Sequence, residues 1–365
     1  MNNKIFENLF VLELANNHWG NRARGLKIIE DFSRVVRFNN IRASIKLQFR
    51  DVDNFIHKDF KDRQDIRYIK KTMATKMDIK DYQVLVDAVR AASCVPMATP
   101  FDEKSVETCE KLGIEIIKIA SSDLNDWVLI ERIAKTRKPV IVSTAGSSLK
   151  DIDDLVTFFE HRNIPLAINH CVAQYPTPKE ELELNQIDFL KNRYPKHIIG
   201  FSTHEENDRI EDAIMIAYAK GARTFERHID IENPEKGVSP YCSLPKDLDR
   251  WIKGYKRAVL LCGHSGIEKN IPPRKEIDYL DALVRGVYAR NDLKKGHILQ
   301  DEDIYLAIPL QKGQISCREF MRGEVLLRDV KRDAPIGIDD IDVPYSHDEE
   351  LKKMIYNRGL DVKKN

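Results

Sequence analysis

Residues 198–230 read IIGFSTHEENDRIEDAIMIAYAKGARTFERHID, and the interpretation of this stretch decides the fold. Ile198 to His204 is a short, mostly apolar run; Asp208 to Lys220 is apolar at helical spacing; Thr224 to Asp230 is a second short run. Strand-like runs this apolar, separated by a helix, describe parallel strands covered by helices on both faces. Working back towards the N-terminus, the same unit recurs. Its runs are Leu9 to Asn16, Ala43 to Phe49, Val95 to Phe101, Ile116 to Ser122, Val140 to Gly146 and Leu166 to Ala173. Helical patterns lie between them at Glu103 to Leu112, Asp126 to Thr136 and Ser148 to Glu160, and Lys246 to Leu261 follows the last run. Eight such units predict an α/β protein built on a closed (β/α)₈ TIM barrel over residues 1–262. An open doubly wound sheet is the alternative, but the G-x-G-x-x-G turn that usually marks its dinucleotide site is absent.

Beyond the barrel, residues 263–281 contain Pro272-Pro273 and read as a linker. Residues 282–343 break into short strand-like pieces separated by turns, a small β-rich domain whose lack of long apolar runs suits a lid better than an independent core. Residues 344–365 read as a charged C-terminal tail, helical or frayed. The composition, 42% hydrophobic and 32% charged, excludes wholesale disorder. Lysine plus arginine number 59 against 58 acidic residues, so no global attraction to nucleic acid or an anionic membrane is expected. No apolar run approaches the length that spans a bilayer, and six scattered cysteines without a C-x-x-C pair suggest reduced thiols. A cytoplasmic enzyme is the expectation.

Residues i and i+2 of a strand face the same way, and barrel active sites form at the carboxyl ends of the strands. Polar residues interrupt the apolar runs at those ends: Glu13, the pair Lys46 and Gln48, Lys118 with Ser121, Ser143, the pair Ser202 and His204, and the pair Glu226 and His228. Singly, each has a structural explanation, such as a snorkelling lysine or a capping serine. Together they fit a site, because burying so many ionisable groups without partners costs several kcal/mol each. His204 and His228 end adjacent strands and could share one divalent metal, with water or substrate completing its shell; two histidines do not identify it, and a hard oxygen substrate suits Mn²⁺ or Mg²⁺ as well as zinc. Lys46, Lys118 and Ser143 suggest a place for a small dianion such as phosphate. The rival use of such a lysine is a Schiff base with a carbonyl substrate.

The motifs Glu13-Leu-Ala-Asn-Asn-His-Trp-Gly20, Lys46-Leu-Gln48, Ala98-Thr-Pro-Phe101, Ile117-Lys-Ile-Ala-Ser121, Tyr175-Pro-Thr-Pro178, Gly200-Phe-Ser-Thr-His204 and Phe225-Glu-Arg-His228 resemble the sialic acid (N-acetylneuraminate) synthase family in order and spacing. Residues 289–296 and 323–326 are similar to the antifreeze-like SAF domain that follows the barrel there. The resemblance implies condensation of phosphoenolpyruvate with the open-chain aldehyde of a sugar, giving a sialic-acid-like 3-deoxy-2-ulosonic acid and phosphate. It assigns phosphoenolpyruvate to Lys46, Thr99, Lys118, Ser121, Ser143 and Ser202, the metal to His204 and His228, and acid/base work to Glu13. It assigns the sugar to Gln48, Phe101, Asp123, Tyr175, Ser239 and Ile308. A homodimer with exchanged C-terminal domains is also implied.

Departures from that family concentrate in the sugar set. Asp123 stands where a longer Glu is usual, Ser239 where an Asp reaches the acylated amino sugar, and Ile308 where a partner subunit's Arg does so. The resemblance therefore implies an acceptor other than N-acetylmannosamine. Two alternatives stay open: a Schiff-base barrel aldolase or lyase, and a non-catalytic sugar-binding relative.

Overall fold

A computed structural model of the chain describes residues 3–263, 266 and 268–361. The chain divides after Gly263 into two compact units. In the first, eight parallel strands pair in sequence order and close into a barrel. They are β1 (Leu9–Ala15), β2 (Ala43–Phe49), β3 (Val95–Pro100), β4 (Ile116–Ile119), β5 (Val140–Ser143), β6 (Leu166–Cys171), β7 (Ile198–Thr203) and β8 (Thr224–His228). Every strand begins where its apolar run begins. β2 ends with its run at Phe49, and the other seven strands end one to three residues earlier than their runs, whose last residues belong to the loops at the mouth.

The helices of this unit are α1 (Arg22–Asn39), α2 (Val52–Phe55), α3 (Arg67–Ala74), α4 (Ile79–Ala91), α5 (Glu103–Lys111), α6 (Trp127–Lys135), α7 (Leu149–His161), α8 (Asn185–Arg193), α9 (Ile210–Lys220) and α10 (Pro245–Cys262). Asn21, Asp102, Asp126 and Ser148 each accept a hydrogen bond from a backbone N–H of the first turn of α1, α5, α6 and α7. These bonds satisfy donors that a helix start leaves orphaned. The large core lies between strands and helices, with Phe32, Val86, Ile130, Leu155, Ile214 and Trp251 among its buried members.

A second, smaller core fills the barrel interior at the end where the strands start: Leu9, Val11, Met97, Ile116, Ile141 and Ala167, closed off by Phe6 from the short 3₁₀ turn Asn3–Phe6. Two residues further along the same inward-facing columns, the side chains become Glu13, Thr99, Lys118, Ser143 and Asn169. The switch from apolar plug to polar mouth thus happens at one level on most strands. At Gly200 a Cβ would lie 1.8 Å from Thr224 Oγ1 and 2.1 Å from Asn169 Oδ1, so only glycine lets these strands close beneath the mouth.

The second unit holds α11 (Arg274–Asp281), β9 (Gly286–Ala289), β10 (Ile304–Ala307), β11 (Val325–Leu326), β12 (Ile341–Asp342) and α12 (Glu349–Tyr356), with β9 paired to β10 and β11 to β12, both antiparallel. Two expectations are corrected here. This unit does have its own core, with Val287, Leu299, Ile315, Leu326, Ile336 and Ile341 buried together. The C-terminal stretch is part of it: α12 buries Ile355 in that core, the apolar side of one helical turn proving enough to anchor a mostly charged segment. Within the expected linker, residues 274–281 form α11; residues 264, 265 and 267 of the linker and 362–365 of the tail lie outside the described residues. All six cysteines are unpaired, and among the described residues no helix is long and apolar enough to cross a membrane.

Candidate active site

At the carboxyl end of the barrel lies a cleft of about 470 Å³. Register brings its charged residues together: Glu13 of β1 sits opposite Lys46 of β2 on one side and His228 of β8 on the other, and Ser202 of β7 sits opposite Glu226. The Glu226 carboxylate takes the Lys46 ammonium on one oxygen at 2.7 Å and the Lys118 ammonium on the other at 2.8 Å. Lys46 also contacts Glu13, and Gln48 donates to the second Glu13 oxygen at 3.3 Å. Two positive and two negative charges therefore form one buried, balanced quartet. Burial pushes the Glu226 carboxyl up, but the two ammonium groups outweigh it and hold the group well below the usual carboxylate range. Burial lowers Lys46 to about 8, with Glu226 opposing and Lys118 adding to the fall.

His204 and His228 meet with ring centroids 5.3 Å apart. Burial lowers His204 to about 4, and burial together with His204 pushes His228 well below its ordinary value, so both rings are neutral at physiological pH. The Val172 carbonyl lies 2.9 Å from His204 Nδ1, which must therefore carry the proton and leaves Nε2 as a lone pair. Two neutral imidazoles are the ligating form. Among the described residues no group of three or more His, Cys, Asp or Glu could hold a metal, and a cation held by this pair would leave positions for water and substrate. A mixed imidazole and oxygen shell suits manganese better than magnesium.

Around this centre the cleft brings together Thr99, Ser121, Ser143, Ser202, Gln48, Phe101 and Tyr175, all singled out in the sequence. Thr99 Oγ1 is buried and meets no protein hydrogen-bond partner, whereas Ser121 Oγ accepts the Ala145 N–H at 3.1 Å and so braces the loop after β5. Tyr175 packs 4.1 Å from the His204 ring. Two expected sugar residues of the barrel unit, Asp123 and Ser239, are not part of the cleft lining. Asp123 sits behind it on the Ser121–Asp123 turn, pushed up to about 6 by burial, with Oδ2 unpartnered. Ser239 lies in the loop between β8 and α10, its carbonyl accepting the Cys242 N–H, and Ile308 lies in the second unit, 59% exposed.

Sequence reasoning assigned no role to several residues that the cleft contains. Glu226, quoted only as a strand-end polar residue, is the hub of the quartet. Arg50 stacks over the Phe101 ring at 3.6 Å and donates to Gln48 Oε1 at 3.1 Å, holding both expected sugar contacts. Arg67, Tyr68 and Lys71 reach the cleft from α3, and Tyr241 packs against His228 with centroids 5.2 Å apart. The available signal was the length of the segment between β2 and β3, which is too long for one crossover helix. Behind the histidines, fully buried Arg227 binds Glu205 at 3.1 Å, its carbonyl at 2.9 Å and Asn207 Oδ1 at 2.9 Å, bracing the ends of β7 and β8.

The chain belongs to the NeuB family, which matches residues 40–266, and residues 284–342 match the SAF domain. A structure of a spore coat polysaccharide biosynthesis protein E from Chromobacterium violaceum is similar, with TM-score 0.88 and 37% identity, covering 92% of this chain and 100% of that one. The N-acetylneuraminic acid synthetase of Leptospira borgpetersenii, solved with citrate, has TM-score 0.66 and 25% identity over 75% of this chain and 91% of that one. The N,N'-diacetyllegionaminic acid synthase of Campylobacter jejuni is 25% identical over 89% of this chain and 97% of its own length.

Proposed function

We propose that the chain condenses phosphoenolpyruvate with the aldehyde of an open-chain sugar, releasing phosphate and a sialic-acid-like 3-deoxy-2-ulosonic acid. The observation that carries this reading is the quartet: Lys46 and Lys118 share one buried glutamate at 2.7 and 2.8 Å in the same cleft as two neutral histidines. Lys46 and Lys118, with the unpartnered Thr99 hydroxyl and Ser143, hold the phosphate and stabilise its negative charge as the C–O bond breaks. The new C–C bond joins the methylene carbon of phosphoenolpyruvate to the aldehyde carbon, and water adds at the former enol carbon. Glu13, one register step from Lys46 and His228, takes the proton of that water. A divalent cation on His204 and His228, manganese by the chemistry of the donors, would polarise the aldehyde oxygen. Gln48, Phe101 and Tyr175 line the sugar side, with Arg50 holding the first two.

The acceptor is one other than N-acetylmannosamine, because Ser239 and Ile308 lack the charges expected to reach its acylated amine. We also propose a homodimer, to be checked by light scattering. The deciding experiment measures phosphate release from phosphoenolpyruvate with a panel of aldoses, with and without a chelator. Release that needs both the aldose and the metal supports the reading. A covalent adduct trapped by borohydride would instead mean a Schiff-base aldolase, and no turnover with any aldose together with no phosphoenolpyruvate binding would mean a sugar-binding relative.

A further inference from the structure

We propose that Arg227 and Glu205 are positioning residues for the two histidines: their buried ion pair fixes the His204 ring relative to the His228 ring and thereby sets the affinity of the site for its divalent cation. The inference rests on the synthase reading with its metal and adds the groups that hold the ligands in place. It starts from the strand ladder. β7 and β8 are in register up to Thr203 opposite Arg227, and β7 ends there, so His204 lies one residue beyond the last pair. His228 is fixed from its other side, opposite Glu13 of β1. The bonds of His204 itself run away from β8: its Nδ1 donates to the Val172 carbonyl at 2.9 Å, and its own carbonyl accepts the Thr177 N–H at 3.0 Å.

The tie across that gap is made by the chain neighbours of the histidines. Glu205 follows His204 and Arg227 precedes His228; neither lines the cleft that the two histidines line, and both are at most 1% exposed. Arg227 Nη1 lies 3.1 Å from Glu205 Oε1, and Nη2 donates to the Glu205 carbonyl and to Asn207 Oδ1, each at 2.9 Å. Its Nε donates to Ser243 Oγ at 2.5 Å, and the Ser243 N–H in turn bonds the His228 carbonyl at 2.9 Å. The Thr203 hydroxyl donates to the second Glu205 carboxylate oxygen and so holds that side chain from the β7 side. One guanidinium thus grips the chain just after His204 and, through Ser243, the chain at His228. A planar fork with donors at fixed angles suits that task, which a single ammonium does not. Stability alone does not account for the arrangement, because a buried ion pair gains little over an apolar pair of similar size once desolvation is counted. Ligand geometry does account for it, since a metal site needs its donors held to within about 0.5 Å.

The test reads Mn²⁺ binding to the full-length protein from the loss of the free-ion electron paramagnetic resonance signal, which needs no turnover and no knowledge of the acceptor. Glu205→Gln, Arg227→Met and their combination are compared with wild type, and the thermal unfolding of each is measured alongside. All three should bind Mn²⁺ about tenfold or more weakly. The single variants should also lower Tm, because each leaves a buried group without its partner, whereas the combination should regain Tm but not Mn²⁺ affinity. Ser243→Ala keeps the ion pair and removes only the Nε acceptor; it guards against variants that fail to fold and should weaken Mn²⁺ roughly threefold or more. Affinity within about twofold of wild type in the folded variants overturns the proposal. So does a combination that regains affinity together with Tm, because the pair would then serve the fold alone. Wild-type protein that binds no Mn²⁺, or binds it equally well with His204→Ala, is a different failure: it removes the metal from the histidines. The positioning of the rings is then decided on the metal-free protein, where Glu205→Gln with Arg227→Met should move the ring ¹⁵N resonances assigned through His204→Ala and His228→Ala. Resonances that stay in place overturn it.

Discussion

Glu226→Gln is the substitution on which the account of the site leans most. The carboxylate stands between two ammonium groups at 2.7 and 2.8 Å, and the three side chains are only 2–6% exposed. Removing its charge leaves Lys46 with Glu13 but leaves Lys118 buried with no acid. Breaking a buried pair from one side costs about 3–5 kcal/mol, because the remaining charge is neither solvated nor compensated. For a unit of this size that loss corresponds to a fall of about 6–20 °C in Tm. All three tryptophans, Trp19, Trp127 and Trp251, belong to the barrel unit, so urea unfolding followed by tryptophan fluorescence reports the barrel alone. The second variant makes the reasoning sharp. Lys118→Met combined with Glu226→Gln deletes one charge of each sign and leaves the Lys46 and Glu13 pair whole, so the double variant should be about 2 kcal/mol or more firmer than Glu226→Gln alone. Losses that simply add, or a Glu226→Gln protein within about 1 kcal/mol of wild type, would refute the balanced quartet.

Three further outcomes follow from the same geometry. Replacing His204 or His228 by Ala should abolish phosphate release and chelator sensitivity together while far-UV circular dichroism stays unchanged; full activity in chelated wild type would remove the metal from the mechanism. Glu13→Gln should keep phosphoenolpyruvate affinity through Lys46 and Lys118 but lose on the order of 10²-fold or more in kcat, and wild-type turnover would exclude Glu13 as the base. In the second unit, burial raises Glu324 to about 7, and its Oε2 is buried without a partner. Its folded value thus lies above the unfolded one, so the stability it contributes is present below about pH 4.5 and is lost as pH rises through about 7. Hydrogen exchange at Val287 and Ile336 should accordingly show Glu324→Gln gaining protection over wild type at pH 8 relative to pH 5, and a pH-independent difference would contradict the buried carboxyl.

The barrel could be read from the sequence because its determinants are local. A strand buried on both faces must be apolar nearly throughout, and a helix on its surface must be apolar at one spacing, so Ile198–Thr203, Ile210–Lys220 and Thr224–His228 declare themselves within a few residues. The mouth was legible for a related reason. A polar residue in such a strand is tolerated only where something meets it, and Glu13, Lys46, Lys118, His204 and His228 broke the apolar pattern at corresponding points. What those residues meet was decided by closure of the barrel. Glu226 lies 180 residues from Lys46 and 108 from Lys118; the registers of β8 with β1 and of β1 with β2 set Lys46 near it, and Lys118 reaches it from β4 because the barrel closes. The rim cations escaped for the opposite reason. Arg50, Arg67 and Lys71 sit on loop and helix segments where charge is ordinary, and only the fold of the segment after β2 turns them into the cleft. The same holds for α12, whose sequence is mostly charged and whose place in the second core depends on Ile355 meeting a surface far along the chain. Periodicity is written in neighbouring residues, whereas charge balance and the partners of buried groups are set by contacts across the fold.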